Sequence, residues 1–268
     1  HHLACRRLHQ RRAAEEDGAG ALHDHAFIGH GRHIGAARGG GAHHHGNLRD
    51  ALIDLAIELI NRDGVASFSI AEACRRLNVS PGAPYRHFAD REDLLTEIAI
   101  QACEVLTAHV AQVVGMTTDP VERLVRASRA YVEFAAQHPA LFEVLYTKEV
   151  FLGGNAKLIG AVRPVVEAFL VPAAAIPGIT AAQASSLTVG AAAVAHGYAS
   201  FLPAGTFSDA PEALAIAADN AACATRALVI GRAALASSPG EDGVGLAGLS
   251  IQRWIDLMHN DQEKSGDG

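Results

Sequence analysis

The amino-acid sequence predicts an all-α protein. From residue 47 onward, apolar residues recur every three or four positions, which is the period of a helix with one buried face. Residues that start and end helices, mainly Ser, Asp, Asn, Pro and Gly, separate these stretches. No stretch alternates apolar and polar residues for long enough to form a sheet.

The first two predicted helices have clear boundaries. The first starts after the N-cap residue Asn47 and ends at Gly64, and its apolar side chains form one stripe. The second starts at Ser69, whose S-x-x-E pattern with Glu72 is a capping box, and ends near Asn78. Both helices therefore have a start signal and a stop signal of their own.

The third predicted helix is short and led by prolines. It begins at Ser80 as N-cap, has Pro81 in the first helical position and runs to about His87. The unpaired amides at such a start would suit a phosphate. Gly82 and Ala83 have almost no side chain, so another surface could approach this backbone closely.

The fourth predicted helix opens at Asp90, has Asp93 as a second capping acid and continues to about Val114. Asp119-Pro120 and Gln137-His138-Pro139 give cap and first-turn proline signals for the next two helices. Five further helices are predicted at about 120–138, 139–149, 155–170, 180–202 and 211–236.

Composition limits the classes of function. The chain has 268 residues, is 49% hydrophobic and 19% charged, and is typical of a globular protein. Its four cysteines are widely spaced without a CxxC pair, which argues against a disulfide scaffold or a zinc finger and favours a reduced cytoplasm. No Ser/His/Asp set, HExxH motif or glycine-rich phosphate loop is present, so we expect neither an enzyme nor a cofactor.

The two ends of the chain differ from its middle. Residues 1–46 hold ten of the fifteen histidines and no periodic apolar pattern. They could be a metal-binding arm, an expression remnant or non-native upstream sequence. We expect a disordered arm without a metal site, because the histidines lack ordered spacing. Residues 238–268 are predicted to be a flexible tail.

One long segment carries no charge. From Ala168 to Ser208 there is no Asp, Glu, Lys or Arg, which raises the possibility of a membrane span. The segment is rich in Ala, Gly and Ser and is interrupted by three prolines. We therefore expect a helix buried inside the protein and no membrane partner.

The stretch "HHGNLRDALIDLAIELINRDGVASFSIAEACRRLNVSPGAPYRHFADREDLL", residues 44 to 95, resembles the DNA-binding domain of the tetracycline-repressor (TetR) family of transcriptional regulators. Helix lengths, the hydroxyl-capped second helix and V-S-x-G-x-x-Y-x-x-F agree in order. The resemblance implies a helix-turn-helix domain at 47–95 and a helical ligand-binding and dimerisation domain at 96–237. Pro84 departs from the aliphatic residue common there and should shorten or tilt the recognition helix.

The resemblance also implies the DNA-contacting residues. Tyr85 and His87 would lie near the phosphate backbone, the turn before them near base edges, and Arg91 would hold a phosphate. Each has an alternative: Arg75 could lie on a solvated face, and Tyr85 or His87 could be a packing or surface residue. The full predicted set is Ser69, Arg75, Ser80, Pro81, Gly82, Ala83, Tyr85, Arg86, His87 and Arg91.

The second half of the chain is predicted to form a dimer and a cavity. Thirteen of the 22 residues from Ala181 to Leu202 are Ala, Gly or Ser, which favours close packing of helices across a twofold axis; internal core helices are the alternative. The motif "AHGYASF", 195–201, resembles a His-Gly motif from one branch of the family, although the usual upstream tryptophan is absent. Aromatic and histidine residues could line a ligand cavity or simply fill the core: Tyr131, Phe134, His138, Phe142, Tyr146, Phe169 and His196.

The sequence thus predicts a cytoplasmic, homodimeric transcriptional regulator, most simply a repressor. Its partners would be a pseudo-palindromic double-stranded DNA operator and a small, largely apolar effector that releases it. A helical ligand carrier or enzyme without DNA function and a metal-responsive regulator are the alternatives.

Overall fold

The computed structural model describes residues 48–147, 150, 155–203 and 212–235, all within the second of two compact units, residues 44–268. The predicted cap Asn47, the arm 1–46 and the tail 238–268 lie outside these residues. Over the described ranges the chain is helical and contains no strand, which confirms the all-α prediction. The helices are α1 (Leu48–Asp63), α2 (Ile70–Leu77), α3 (Arg91–Val114), α4 (Pro120–Gln137), α5 (Pro139–Leu145), α6 (Ala156–Ala174), α7 (Ala181–Phe201), α8 (Ala213–Ile230) and α9 (Arg232–Leu235).

The helix boundaries near the amino-terminal end follow local chemistry. Gly64 ends α1 with φ 79°, a left-handed conformation that favours glycine, and Asn78 ends α2 with φ 53°. Ser69 caps α2, because its side chain accepts a hydrogen bond from the Glu72 amide at 3.3 Å. The predicted capping box is only half formed, since the Glu72 carboxylate binds Arg75 and Arg76.

The later boundaries agree with the cap signals and differ in length. Asp90 caps α3 by accepting from the Asp93 amide at 2.9 Å. Thr180 and Gln183 form a complete capping box at the start of α7. The helix predicted at 155–170 continues to Ala174 as α6, and the one predicted at 211–236 is interrupted at Gly231.

One apolar core runs through the described helices. It extends without a break from α1, through Phe88 and the whole of α3, to α8. Phe88 and Leu94 are essentially fully buried, and burial of side chains of this size contributes about 1.5–3 kcal/mol each. The predicted domain boundary at residue 95 falls inside α3, so the two predicted domains share one helix and one core.

Polar contacts fix α4 against α8. The buried Thr225 hydroxyl donates to Ser128 Oγ at 2.8 Å, and Arg226 donates to Glu122 at 2.7 Å. Arg129 of α4 also bonds Asp219 of α8. Because a buried hydroxyl without a partner costs free energy, the Thr225–Ser128 bond fixes the relative position of the two helices.

The uncharged segment 168–208 contributes the end of α6 and α7 to this helical bundle, and buried residues such as Phe169 and Leu187 pack in its core. By length and composition alone, two other described helices, α3 and α8, are apolar enough to cross a membrane. Half of the residues in the most apolar stretch of α3 are buried, as in the core helix of a bundle. Both helices pack extensively against α4.

Candidate functional site

Residues 80–88 fold differently from the prediction. The chain forms a turn, in which the Ala83 amide donates to Ser80 O at 3.0 Å, and then a three-residue 3-10 helix, Pro84–Arg86. The predicted N-cap at Ser80 and start at Pro81 are therefore wrong. Pro84 begins the short helix, as expected if its missing amide shortens the segment.

The expected row of unpaired amides is also absent from this segment. Four of its backbone amides bond within it: those of Ala83, Arg86, His87 and Phe88. The segment therefore exposes mainly side chains, together with the backbone at Gly82.

Two buried residues hold the segment on the domain. Pro84 is buried and Phe88 is 1% exposed, whereas Tyr85, Arg86 and His87 between them are all exposed. Tyr85 is 58% exposed, which is unusual for a large aromatic residue. The two buried residues anchor the segment, and the side chains of Tyr85, Arg86 and His87 between them point outward.

The turn before this triplet leaves room for close approach. A Cβ atom added to Gly82 would meet no atom within 4 Å. Ser80 and Pro81 are exposed and Ala83 is half-buried. A flat or convex partner could therefore approach the Gly82 backbone closely.

The arginines near this surface are in different states. Within the part of the chain that the structure describes, the guanidinium of Arg86 makes no hydrogen bond or ion pair. Arg75 is held by Glu72 through bonds of 2.8 and 2.9 Å, although 74% of its side chain is exposed. The hydrogen bonds that Arg75 and Arg76 donate to Glu72 lower the pKa of the Glu72 carboxyl. Arg86 is thus the more available cation.

Arg91 faces into the domain. Its Nη2 donates to Val65 O at 2.6 Å and its Nε donates to Phe68 O at 3.1 Å. The guanidinium also lies 5.9 Å from the centre of the Phe68 ring. This side chain fixes the segment that leads into α2.

A second set of bonds connects α5 to the same segment. Glu143 Oε1 accepts from the Val65 amide at 2.9 Å, and Asn61 Oδ1 accepts from the Ala140 amide at 3.1 Å. Helix α5 therefore contacts both the end of α1 and the residues just after it. No sequence signal pointed to these contacts, because the partners lie about 80 positions apart in the chain.

A cavity of about 320 Å³ lies among α3, α4, α6 and α7, next to the end of α5. Its size is at the lower end of small-molecule pockets. None of the described residues that line it is charged. Its walls are formed by Cys103, Leu106, Tyr131, Leu145, Tyr146, Val150, Leu158, Val162, Val165, Val166, Phe169, Thr188, Ala192, Ala193, His196 and Gly197.

Four polar side chains at the cavity are linked by hydrogen bonds. The Tyr131 hydroxyl bonds the Tyr146 hydroxyl and lies 3.3 Å from His196 Nδ1. His196 Nε2 lies 3.4 Å from Ser200 Oγ. Tyr131 is 4% exposed, whereas Tyr146 is 42% exposed as a whole residue and directs its hydroxyl inward to Tyr131.

Burial keeps these groups uncharged. It raises the pKa of Tyr146 to about 12 and raises that of Tyr131 well above its ordinary value, with the neighbouring Tyr146 adding to the effect. Burial lowers the pKa of His196 and raises that of the Cys103 thiol to about 12. At neutral pH the cavity is therefore apolar, with neutral hydrogen-bonding groups.

Four of the seven predicted cavity residues line it: Tyr131, Tyr146, Phe169 and His196. Phe142 lies behind them, with its ring centre 5.4 Å from that of His196.

The other two predicted residues do not line the cavity. Phe134 is fully buried in the core, and His138 lies at the junction of α4 and α5, with its ring 5.3 Å from that of Phe134.

Several cavity residues were missed. Thr188, Ala192 and His196 are spaced by four along α7, which is a helical-face signal that could have found the first two. Cys103 and Leu106 on α3 carried no distinguishing signal. Among the described side chains, no cluster of three His, Cys, Asp or Glu residues could hold a metal ion.

The outer face of α7 and α8 is apolar and built from small residues. Gly190 lies so close to Leu228 that an added Cβ would be 3.3 Å from its Cδ1. Ile216 and Ile230 of α8 are 45% and 78% exposed. A shallow apolar groove between the two helices is lined by Val194, Ala224, Ala227, Leu228 and Gly231.

Comparison with known families gives two matches. Residues 52–98 match the model of the bacterial regulatory proteins of the tetR family. Residues 124–225 match a tetracyclin repressor-like C-terminal domain. The matched ranges cover the surface around residues 80–87 and most of the cavity.

Two curated relatives are regulators. The chain is 25% identical over 103 residues to the uncharacterized HTH-type transcriptional regulator YobS of Bacillus subtilis (strain 168), which is 38% of this chain and 53% of YobS. It is 40% identical over 50 residues to the HTH-type transcriptional regulator AcrR of Shigella flexneri, which is 19% of this chain and 23% of AcrR. The chain thus spans about half of the first relative and under a quarter of the second.

Solved structures share the fold. A protein of unknown function from Rhodococcus sp. RHA1 is 28% identical with a TM-score of 0.57, covering 67% of this chain and 96% of its own. A tetR-family regulatory protein from Rhodococcus RHA1 is 22% identical with a TM-score of 0.51, covering 66% and 95%. With family models matching both its amino-terminal and carboxy-terminal helices, this chain belongs to the tetR family of bacterial regulatory proteins.

Proposed function

We propose that this protein is a DNA-binding transcriptional regulator that docks on duplex DNA through residues 69–91. The observation that carries the proposal is the exposed triplet Tyr85, Arg86 and His87 between buried Pro84 and Phe88. A rigid base with outward polar tips suits phosphate contacts, and the open backbone at Gly82 suits close approach to base edges.

The remaining predicted contacts have different weights in the proposal. Ser80, Pro81 and Ala83 form the turn that approaches the groove, and Ser69 and Arg75 lie on the adjoining exposed edge. Arg75 would have to share its guanidinium between Glu72 and a phosphate. Arg91 is a positioning residue in this proposal, because its donors are used on Val65 and Phe68.

The face as a whole is not strongly basic. Residues 47–101 contain six arginines and nine acidic residues. A docking surface needs only a local positive field, and Arg86 is the available source of it. One such domain makes few phosphate contacts, so a second subunit would be needed for tight, specific binding.

We propose a homodimer built on the outer face of α7 and α8. Exposed Ile216 and Ile230 and the groove along Ala224 and Ala227 form an apolar surface that a symmetric copy would bury. Two helices from each subunit would then form a four-helix bundle. The two DNA-binding faces would contact half-sites about 34–36 Å apart on a pseudo-palindromic operator.

The cavity is the proposed effector site, and α5 is the proposed link to DNA. Leu145 and Tyr146, at the end of α5, line the cavity, whereas Ala140 and Glu143 of α5 bond the end of α1 and Val65. A small apolar effector that favours one position of α5 would shift the population of DNA-binding orientations. Release from the operator on effector binding, and hence repression in the cytoplasm, is the mode we propose.

The proposal is tested by the salt dependence of DNA binding. Wild-type protein and the Arg86→Ala variant are titrated into a fluorescent operator duplex between about 50 and 200 mM salt, with fluorescence anisotropy as readout. We expect Arg86→Ala to weaken binding and to make the salt slope shallower by about one unit per subunit. Arg163→Ala on α6, whose guanidinium pairs with Glu167, is the matched control and should bind as wild type. Equal slopes for wild type and Arg86→Ala would reject the proposed face.

A further inference from the structure

The hydrogen bonds inside the cavity limit what it can bind. Tyr131 has one hydrogen to donate and two lone pairs. It contacts the Tyr146 hydroxyl and His196 Nδ1, and His196 continues to Ser200 through Nε2. Each group can donate to the next, in a chain that starts at either end.

In either direction Tyr131 donates one bond and accepts one. If the chain starts at Tyr146, Tyr131 accepts from it and donates to His196 Nδ1. If it starts at Ser200, Tyr131 accepts from Nδ1 and donates to Tyr146, and Tyr146 keeps its own hydrogen to donate elsewhere. One lone pair of the Tyr131 oxygen is left in both cases, so this oxygen offers the cavity an acceptor.

The Thr188 hydroxyl likewise has only acceptor capacity left. It is 1% exposed, and its Oγ1 donates its hydrogen to Ala184 O at 2.8 Å. What remains towards the cavity is again oxygen lone pairs. The Cys103 thiol, which burial keeps protonated, is only a weak donor.

The rest of the cavity is apolar. Val162, Val166 and Phe169 of α6 form one wall, and small residues of α7 form the facing wall. None of the described lining residues is Asp, Glu, Lys or Arg, and burial disfavours the charged form of His196 by lowering its pKa, so an unpaired ligand charge in this site is costly.

We infer that the cavity takes an uncharged, largely apolar molecule that carries one hydroxyl group, an alcohol or a phenol, whose O–H donates to the Tyr131 oxygen. The inference rests on the proposed function in so far as it treats this cavity as the effector site. It adds the chemical class of the effector and the atom that recognises it.

A matched probe series tests this class directly. Isothermal titration calorimetry on the full chain, without DNA, compares 4-propylphenol, 4-propylanisole, propylbenzene and 4-propylbenzoate at pH about 7, where the phenol is neutral. The anisole keeps the ring oxygen as an acceptor but carries a methyl group in place of the hydroxyl hydrogen, so it cannot donate; propylbenzene lacks the oxygen and controls for the added bulk. We expect 4-propylphenol to bind about fivefold more tightly than 4-propylanisole or propylbenzene. The charged 4-propylbenzoate is expected to bind at least about tenfold more weakly than the phenol.

The variant Tyr131→Phe removes the acceptor and keeps the ring. We expect the preference for 4-propylphenol over 4-propylanisole to fall to about one, with propylbenzene affinity unchanged. Tyr198→Phe is the matched control, because Tyr198 lies on α7, which forms one wall of the cavity, but does not line the cavity itself; it should keep the wild-type preference.

Three results would overturn the inference: no heat from 4-propylphenol, tighter or equal binding of 4-propylanisole, or tighter or equal binding of 4-propylbenzoate. The wild-type probe series decides the matter even if Tyr131→Phe does not fold. Because DNA is absent, a failed probe series leaves DNA binding to be judged by its own titration, and a failed DNA titration leaves the ligand class standing.

Discussion

Glu143 Oε1 accepts a hydrogen bond of 2.9 Å from the backbone amide of Val65, a residue 78 positions earlier in the chain. Arg91 Nη2 donates to the carbonyl of the same residue at 2.6 Å. Both polar groups of Val65 are thus held by side chains, one from α5 and one from α3. The two helices that hold it also border the cavity, and the proposed link from effector to DNA runs through them.

Removal of the Glu143 carboxylate is expected to weaken this route. Glu143→Ala should lower the free energy of unfolding by about 1 kcal/mol, because the Val65 amide loses its partner. It should also reduce the effect of a cavity ligand on DNA affinity. Urea denaturation and anisotropy with and without 4-propylphenol measure the two quantities.

Glu143→Gln keeps an acceptor oxygen and serves as the matched variant, expected to behave close to wild type. Equal ligand effects in Glu143→Ala and wild type would show that coupling does not pass through this bond.

Arg91 is expected to act on stability. Arg91→Ala removes the side-chain donor to Phe68 O and one of the two donors to Val65 O, which keeps the Phe68 amide, so the free energy of unfolding should fall by about 2 kcal/mol. Arg91→Lys should recover only part of it, because one ammonium group cannot reproduce the planar fork. Urea denaturation followed by circular dichroism is the measurement, and Arg86→Ala, within about 0.5 kcal/mol of wild type, is the control. A fully stable Arg91→Ala protein would contradict the positioning role.

A side chain at Gly82 is expected to block DNA without disturbing the fold. There is open space around this residue, so Gly82→Leu should change the free energy of unfolding by no more than about 0.5 kcal/mol. Steric conflict with the duplex should lower operator affinity by about tenfold or more. Gly160→Leu on α6, where an added Cβ also meets nothing within 4 Å, is the control. Tight operator binding by Gly82→Leu would mean that this turn does not approach DNA.

A charge on the outer face of α8 is expected to separate the subunits. Ile230 is 78% exposed, and Ile230→Arg would bury an unpaired charge in the proposed bundle. Analytical ultracentrifugation should then find a monomer, with operator affinity lost in parallel. Val171→Arg introduces the same charge at an exposed apolar residue of α6 and should remain dimeric. The opposite outcome, in which Val171→Arg alone dissociates, would move the interface to α6.

Acid is expected to destabilise the protein through His196. Burial lowers its folded-state pKa below the ordinary value of 6.5, so the unfolded chain binds more protons and stability falls as the pH drops below about 6.5. His196→Gln should show a smaller loss between pH about 7.5 and 5.5. Adding His138→Gln should flatten the profile further, because burial and His109 lower the pKa of His138. Identical pH profiles for the three proteins would contradict this cause.

Local sequence chemistry was sufficient for much of the fold. Gly64 and Asn78 end helices in left-handed conformations, and Ser69 and Asp90 cap them, because these effects depend on a few neighbouring residues. The recognition segment was predicted with the wrong start. Ser80 carries a cap signal, but the short helix begins at the buried Pro84 instead.

The site was only partly predictable for a related reason. Aromatic residues indicated the cavity, and Tyr131 and Phe169 line it as expected. Cys103 was missed because only its tertiary position, and no local pattern, places it beside the aromatics, whereas the four-residue spacing from Thr188 to His196 was a local signal that was not used. The role of Arg91 was likewise set by two carbonyls more than twenty positions away.

The measurement that tests the account most directly is selection of bound duplexes from a random DNA pool by the full chain. The proposed docking face and dimer predict enrichment of a pseudo-palindrome with half-sites one or more helical turns apart, at about 10–10.5 base pairs per turn. They predict no enrichment by Gly82→Leu. A pool that stays random with wild-type protein, or an enriched sequence without twofold symmetry, would contradict it.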